Sequence, residues 1–441
     1  MATQLSRTFS AQGNQRKFTI SVWIKRTSLS QQSIFGSGGG GAYATRMFFS
    51  GTDNIQWWNY YNNSYAGRKY STSNLRDTNG YYHCVFRCDT ANSTASERMR
   101  MYVNGEEVTD LGTNDNPSQN VTFEIGHTGV HYIGGYGTGA DGDCIMSHFH
   151  YCDGQSYAPT EFGETDSTTG EWKIKTDTSV SYGTSGSFIL EDGNSVTDQS
   201  GLGNNWTVAN GTLTKTEDNP SNVFCTFMSH TTSSLLTLSN GSTTVTTNSS
   251  SNSGDSLASL GASSGKFYWE VEIDNKVGGV PYWGVVYTDN AKFGLQNLAG
   301  GAGSPWGEVF ALSAGGAFYN GTGNGGNIAT GAWSSGDICG MAYDFDNGAM
   351  YAYKNGVAVG GGDPTSGASR TNAITTWTPN GVELVPVTEA YNGSIAKFNF
   401  GNGYFGSTQI SSAGTNASGN GIFEHDCPTG YTALSTKGLN L

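Results

Sequence analysis

Three carboxylates recur at alternate positions in Glu270-Val-Glu-Ile-Asp274. On a β-strand, residues two apart share a face and lie about 6 to 7 Å from one another. That is a separation at which a glycosidase holds its acid and its nucleophile or base. The same alternation places Trp269, Val271 and Ile273 on the other face, so the stretch also reads as a core strand with its carboxylates turned to solvent, which is the reading taken here. Cys144, His148, His150 and Cys152 share one parity and suggest zinc. A straight strand covers roughly 13 Å from i to i+4, too far for ligands that must converge to about 2 Å from the ion, so packed side chains are expected instead. Asp141-Gly142-Asp143 offers oxygens to calcium but falls short of the six to eight that a full site needs. The glycine run Gly36 to Gly41 is followed by neither Lys-Ser/Thr nor a helix start, and reads as a loop. No Ser, His and Asp stand in a recognisable catalytic relation. Neither catalytic residues, metal nor cofactor is expected.

Binding chemistry is better supported. Trp57, Trp58, Tyr60 and Tyr61 lie close to Arg68, with Tyr65, Lys69 and Tyr70 nearby and Asn59, Asn62 and Asn63 between them. Aromatic faces stack on sugar rings while amides bond hydroxyls. The candidate ligand-binding residues are therefore Trp57, Trp58, Tyr60, Tyr61 and Arg68. Strand alternation allows only one of Trp57 and Trp58 on display, the other facing a core. An exposed aromatic set serves a protein interface equally well.

These residues need strands to position them. Arg98 to Val108 contains Tyr102-Val-Asn-Gly105, and Tyr353-Lys-Asn-Gly356 repeats it downstream. Asn-Gly between β-rich runs marks a type I′ hairpin. Each copy follows a strand-like run that ends on aspartate, His83 to Asp89 and Asp337 to Asp344. Glycine supplies 64 of 441 residues, about twice the usual share of ~7 %. Period-two runs bounded by Gly, Asn, Asp and Ser recur, while no apolar stripe at helical spacing is sustained. The chain is all-β: two antiparallel β-sandwich jelly rolls in tandem, with a short bridge and an extended C-terminal arm. The domains expected are 1–165, a structured bridge over 166–222 able to add strands to the first, 223–402, and an arm over 403–441. The polar stretch 239–256 reads as a surface loop.

The formal charge of −14 and the absence of a long Lys/Arg run argue against nucleic acid as partner. No run of about 18 apolar residues occurs, so membrane insertion is not expected, and the first residues lack an apolar signal core. Seven cysteines without framework spacing read as reduced thiols, hence synthesis in a cytoplasm. Heptads, collagen repeats and β-helix rungs, the usual material of a fibre shaft, are absent.

The first hairpin, with Phe18 to Lys25 upstream and Asp141 to His150 downstream, resembles laminin-G-like and concanavalin-A-like jelly rolls. The second, with Gly265 to Ile273, Tyr282 to Val286 and Gly336 to Met341, resembles an SPRY domain. Their combination, closed by Gly421 to Leu434, is similar to virion proteins of tailed phages, marine ones especially. The resemblance implies a non-enzymatic virion component, tail-fibre-like or serving host recognition, assembled in the bacterial cytoplasm. Its partners would be other virion proteins and host-surface polysaccharide, and it would be a homo-oligomer because virion sites are symmetric. A capsid decoration or head-fibre protein is the alternative within that setting. Outside it stand a free lectin and a jelly-roll glycoside hydrolase, since Glu270, Glu272 and Asp274 also resemble the catalytic strand of laminarinase-type enzymes, though in a different order.

Overall fold

The computed structural model describes residues 3–38, 41–137, 139–140, 144–191, 195–250, 252–277, 281–289, 309–321, 323–328 and 332–441. They form two compact units, the first of residues 1–213 and 219–221, the second of 214–218 and 222–441. Strands dominate both, and the helical pieces among the described residues are short 3-10 turns.

In the first unit the strands are β1 (Gln4–Thr8), β2 (Lys17–Arg26), β3 (Gln32–Ser37), β4 (Ala44–Phe49), β5 (Asn54–Tyr61), β6 (Ser64–Asn74), β7 (Tyr82–Asp89), β8 (Met99–Val103), β9 (Glu106–Glu107), β10 (Leu111–Asp115) and β11 (Val130–Ile133). They continue with the pair β12 (Gly135–Tyr136) and β13 (Gly139–Ala140), then β14 (Cys144–Asp153), the pair β15 (Gly163–Thr165) and β16 (Trp172–Ile174), β17 (Ser187–Ile189) and β18 (Thr207–Asn210). One sheet runs β10-β6-β5-β4-β3-β11-β1-β18 and the other β17-β14-β2-β7-β8-β9. Ile34, Met47, Ile55 and Trp57 from the first meet Phe18, Ile20, Phe86 and Phe149 from the second in one buried cluster. Alternation along each strand produces this sandwich by turning one set of apolar side chains of each sheet into the shared core, while Val85, Tyr102, Cys152 and Phe162 form a smaller buried cluster on the other face of the second sheet. Within 166–213, β17 and β18 each add an edge strand to a sheet of the first unit.

The second unit repeats the plan. Lys266–Asn275 is central to one sheet, paired with Ile338–Asp344 on one side and Ile395–Asn399 on the other. The opposing sheet contains Tyr282–Tyr287 between Val309–Ser313 and Leu384–Tyr391. Trp269, Val271, Ile273, Trp283 and Val285 fill the core between them.

Both Asn-Gly hairpins form as expected, and in the same way. Asn104 and Gly105 adopt φ 50° and 84°, Asn355 and Gly356 φ 49° and 81°. The Asn104 side chain accepts the His83 amide over 2.8 Å and the Asn355 side chain accepts the Ile338 amide over 2.8 Å. A ring covers each glycine: a Cβ on Gly105 would lie 2.6 Å from Trp172, and one on Gly356 3.0 Å from His425. Glycine is thus required for its positive φ and for the close approach.

Two expectations are corrected. Residues 239–256 are not a loop: Leu236–Ser239 pairs with Thr244–Thr247, Ser253–Leu257 joins the opposing sheet, and Val245 is fully buried. Their threonines suit a pleated, half-buried surface. Residues 403–441 are not an extended arm. They fold back so that Thr432–Ala433 pairs in parallel with Phe267–Tyr268, and Phe423, Tyr431 and Ala433 bury Tyr268, Ala342 and Tyr351. That outer sheet face is apolar, so leaving it uncovered would cost about 25 cal/mol for each Å² exposed.

Candidate functional site

The site is the outward face of the first unit's larger sheet. Register fixes a row across it: Asp115 opposite Arg68, Arg68 opposite Trp58, Trp58 opposite Arg46, Arg46 opposite Gly36, and Gly36 opposite Tyr132. Asn62 and Asn63, at φ 50° and 60°, form the tight turn that brings β5 and β6 together. Trp58, Tyr60, Arg46 and Arg68 are all half-buried, with Tyr65 exposed at 50 %.

The side chains interlock. The Trp58 ring meets Tyr65 edge-on at 6.2 Å and Tyr136 at 5.8 Å, and Tyr60 meets Tyr65 at 5.2 Å. The Arg68 guanidinium lies 4.5 Å over Tyr65 while its Nε donates to Asp115 over 2.6 Å. That hydrogen bond raises the Arg68 pKa, which keeps the cation charged. Arg46 lies 4.5 Å over Phe48 and 5.2 Å over Tyr136, and its Nε and Nη2 donate to Ser33 Oγ over 2.9 and 2.6 Å. The result is an aromatic platform fixed between two guanidinium groups. It offers ring faces for stacking and charge-assisted donors for oxygens.

Of the residues proposed from sequence, Trp58, Tyr60 and Arg68 come together here. Trp57 does not. It is fully buried against Phe18, Phe86 and Phe123, because alternation turns it inward. Tyr61 sits apart at the strand end, edge-on to Tyr43 at 5.1 Å. Asn59 is buried, accepting from Thr45 over 2.6 Å and donating to the Thr122 carbonyl over 3.2 Å, so it has no hydroxyl to recognise. Arg46 and Tyr136 were missed. The parity of Arg46 against Met47 and Phe49 was a usable signal, whereas Tyr136 arrives on the short strand β12, far along the chain.

The other candidates resolve into structural roles. Glu270 is wholly buried, its Oε2 accepting the Glu424 amide and its Oε1 the His425 amide, each over 2.8 Å. It therefore does not face solvent as expected, because the C-terminal segment covers it. Burial pushes its pKa up to about 7. Glu272 and Asp274 share Lys397, at 3.4 and 2.6 Å. A register shift between Ser147 and His150, with His148 at φ 50°, breaks the parity of β14. Cys144 then packs against the main core, while Cys152 joins Val85 and Phe162 on the other side. His150 stacks on Phe188 at 4.1 Å and bonds the Tyr182 hydroxyl over 2.8 Å. Among the described residues no group of His, Cys, Asp and Glu can hold a metal ion. Asp141 to Asp143, and Gly39 and Gly40 of the glycine run, lie outside the described residues.

Comparison with curated proteins gives no match. Among solved structures, the SPRY domain of human HERC1 is similar at 19 % identity over 39 % of this chain and 96 % of its own, with a TM-score of 0.29. A human SPRY domain is similar at 21 % identity over 37 % of this chain and 94 % of its own, with a TM-score of 0.26. The native heptameric SAP-like pentraxin from Limulus polyphemus is similar at 18 % identity over 44 % and 87 %, with a TM-score of 0.29. Residues 4–143 match the family model described as the concanavalin A-like lectin/glucanases superfamily, and this stretch contains the whole Arg46–Trp58–Arg68 platform.

Proposed function

We propose that this chain is a non-enzymatic structural component of a tailed-phage particle that contacts host-surface polysaccharide through the outer face of its first unit. The observation that carries the binding reading is the row Arg46, Trp58, Arg68, a half-exposed indole held between two cations on a lectin-type scaffold. The non-enzymatic part is supported by the commitments of the three carboxylates: Glu270 bonds backbone amides under a covering segment, and Glu272 and Asp274 share a lysine. The virion setting is supported by the sequence resemblance.

Leu441 is 72 % exposed, so a C-terminal tag is accessible. Tagged particles imaged by electron microscopy test the setting. Label on the tail supports host contact, label spread over the head replaces it with a decoration role, and unlabelled particles overturn the virion reading.

A further inference from the structure

We infer that the first unit carries a second glycan subsite, distinct from the aromatic platform: an open polar cleft of about 640 Å³ that takes an acidic sugar through Arg16. Three chain segments build it, residues 12–16, 153–155 and 183–184, with Thr122 beside them. Its volume lies within the roughly 300 to 1,000 Å³ of ligand sites.

Asp153 is the floor and is 4 % exposed. Its Oδ1 accepts the Asn14 amide over 2.6 Å, and its Oδ2 accepts the Thr184 and Ser185 amides over 3.2 and 3.0 Å. Gly13 keeps that floor clear, since a Cβ there would lie 2.7 Å from Oδ1. The buried carboxylate thus ties the walls together and is answered by backbone dipoles, leaving the rim to set the ligand.

At the rim Gln12 donates to Gln15, and Gln15 to the Phe123 carbonyl, each over 2.8 Å, while four other side-chain groups are unused. Asn14 Oδ1 accepts the Arg16 and Lys17 amides over 3.0 Å each, but its Nδ2 has no partner among the described residues. The same holds for the Arg16 guanidinium, the Gln155 amide and the Thr184 hydroxyl. One free cation surrounded by neutral donors and acceptors complements a molecule with one carboxylate and several hydroxyls. No aromatic or aliphatic side chain lines the cleft, so it recognises by hydrogen bonds where the Trp58 platform stacks.

The test is saturation-transfer NMR titration of the full chain with methyl β-glucuronide, methyl β-glucoside and acetate. The glucuronide is expected to bind more tightly than either of the others. Arg16→Ala, at an exposed position, is expected to weaken it about tenfold, the loss of one charge-assisted bond, and Lys173→Ala, which removes an exposed cation outside the cleft, to leave it unchanged. Absence of glucuronide binding, indifference to Arg16→Ala, equal competition by acetate or an equal loss in Lys173→Ala would each overturn the proposal. None of these results touches polysaccharide binding at the platform, which is read with Trp58→Ala and a polymer.

Discussion

Glu270 Oε1 accepts the backbone N–H of His425 over 2.8 Å, a bond between a central strand and a segment 155 residues downstream. With the Glu424 amide on Oε2, it makes the carboxylate the anchor of the C-terminal cover. The anchor has an electrostatic cost. Burial raises the Glu270 pKa from 4.5 to about 7, with the Glu424 and His425 amides, and then the Asn399 and Tyr268 hydrogen bonds, offsetting only part of it.

A raised carboxyl pKa means that the folded state binds the proton more tightly than the unfolded one. The second unit should then be most stable below about pH 4.5 with respect to this group, and lose about 3 kcal/mol as pH rises through 7. In the first unit the sign reverses. His83 and His131 are buried and neutral, with pKa pushed down to about 3, and His150 is lowered as well. Their contribution is present above pH 6.5 and shrinks by about 2 kcal/mol per histidine by pH 5. Hydrogen-exchange mass spectrometry at pH 5 and 7.5, corrected for intrinsic chemistry, should show Lys17–Arg26 losing protection at the lower pH and Lys266–Asn275 gaining it. Glu270→Gln should flatten the second trend. Parallel movement of both strands would contradict the assignment.

The matched hairpins make a sharper stability prediction. Gly105→Ala forces a methyl to 2.6 Å from Trp172 at φ 84°, whereas Gly381→Ala meets nothing within 4 Å at φ 79°. Both pay for the left-handed backbone, about 1 kcal/mol. Only the first adds a ring clash. Urea unfolding should give Gly105→Ala the larger loss by about 2 kcal/mol or more, and equal losses would rule out the close contact.

Much of this was legible in the sequence where the cause is local. An Asn-Gly dipeptide determines its own turn, so both hairpins were placed correctly. Alternation announced that Trp57 and Trp58 face opposite ways without saying which is inside, because that depends on the partner sheet. The bulge at His148 left no mark, since one inserted residue reverses parity without changing composition. Nor did the burial of Glu270, whose cover comes from far along the chain. The 403–441 segment looked like an arm because its Gly, Ser and Asn content hides a few anchors, Phe423, Tyr431 and Leu434, that dock it.

Thiol chemistry follows from burial. Cys84, Cys88, Cys152, Cys225, Cys339 and Cys427 are buried and Cys144 is half-buried. Burial raises the pKa of Cys84, Cys88, Cys152, Cys339 and Cys427, suppressing the reactive thiolate. Native protein treated with iodoacetamide should modify Cys144 first, as mapped by peptide mass spectrometry. Faster reaction at Cys84 would contradict the packing of the first core.

Trp57 and Trp58 separate stability from binding. Trp57→Ala empties a buried indole site and should cost about 3 to 5 kcal/mol. Trp58→Ala removes a half-exposed ring and should cost no more than about 1 kcal/mol. Chemical denaturation distinguishes them, and a large loss in Trp58→Ala would show that the platform is core after all.

The most direct test of the central claim is co-sedimentation of the full chain with purified host-cell polysaccharide, comparing the native protein with Trp58→Ala. Stacking on one sugar ring is worth about 1 kcal/mol or more, so the account predicts binding by the native chain and at least about a fivefold loss in the variant, with the fold intact. Undiminished binding by Trp58→Ala would contradict it.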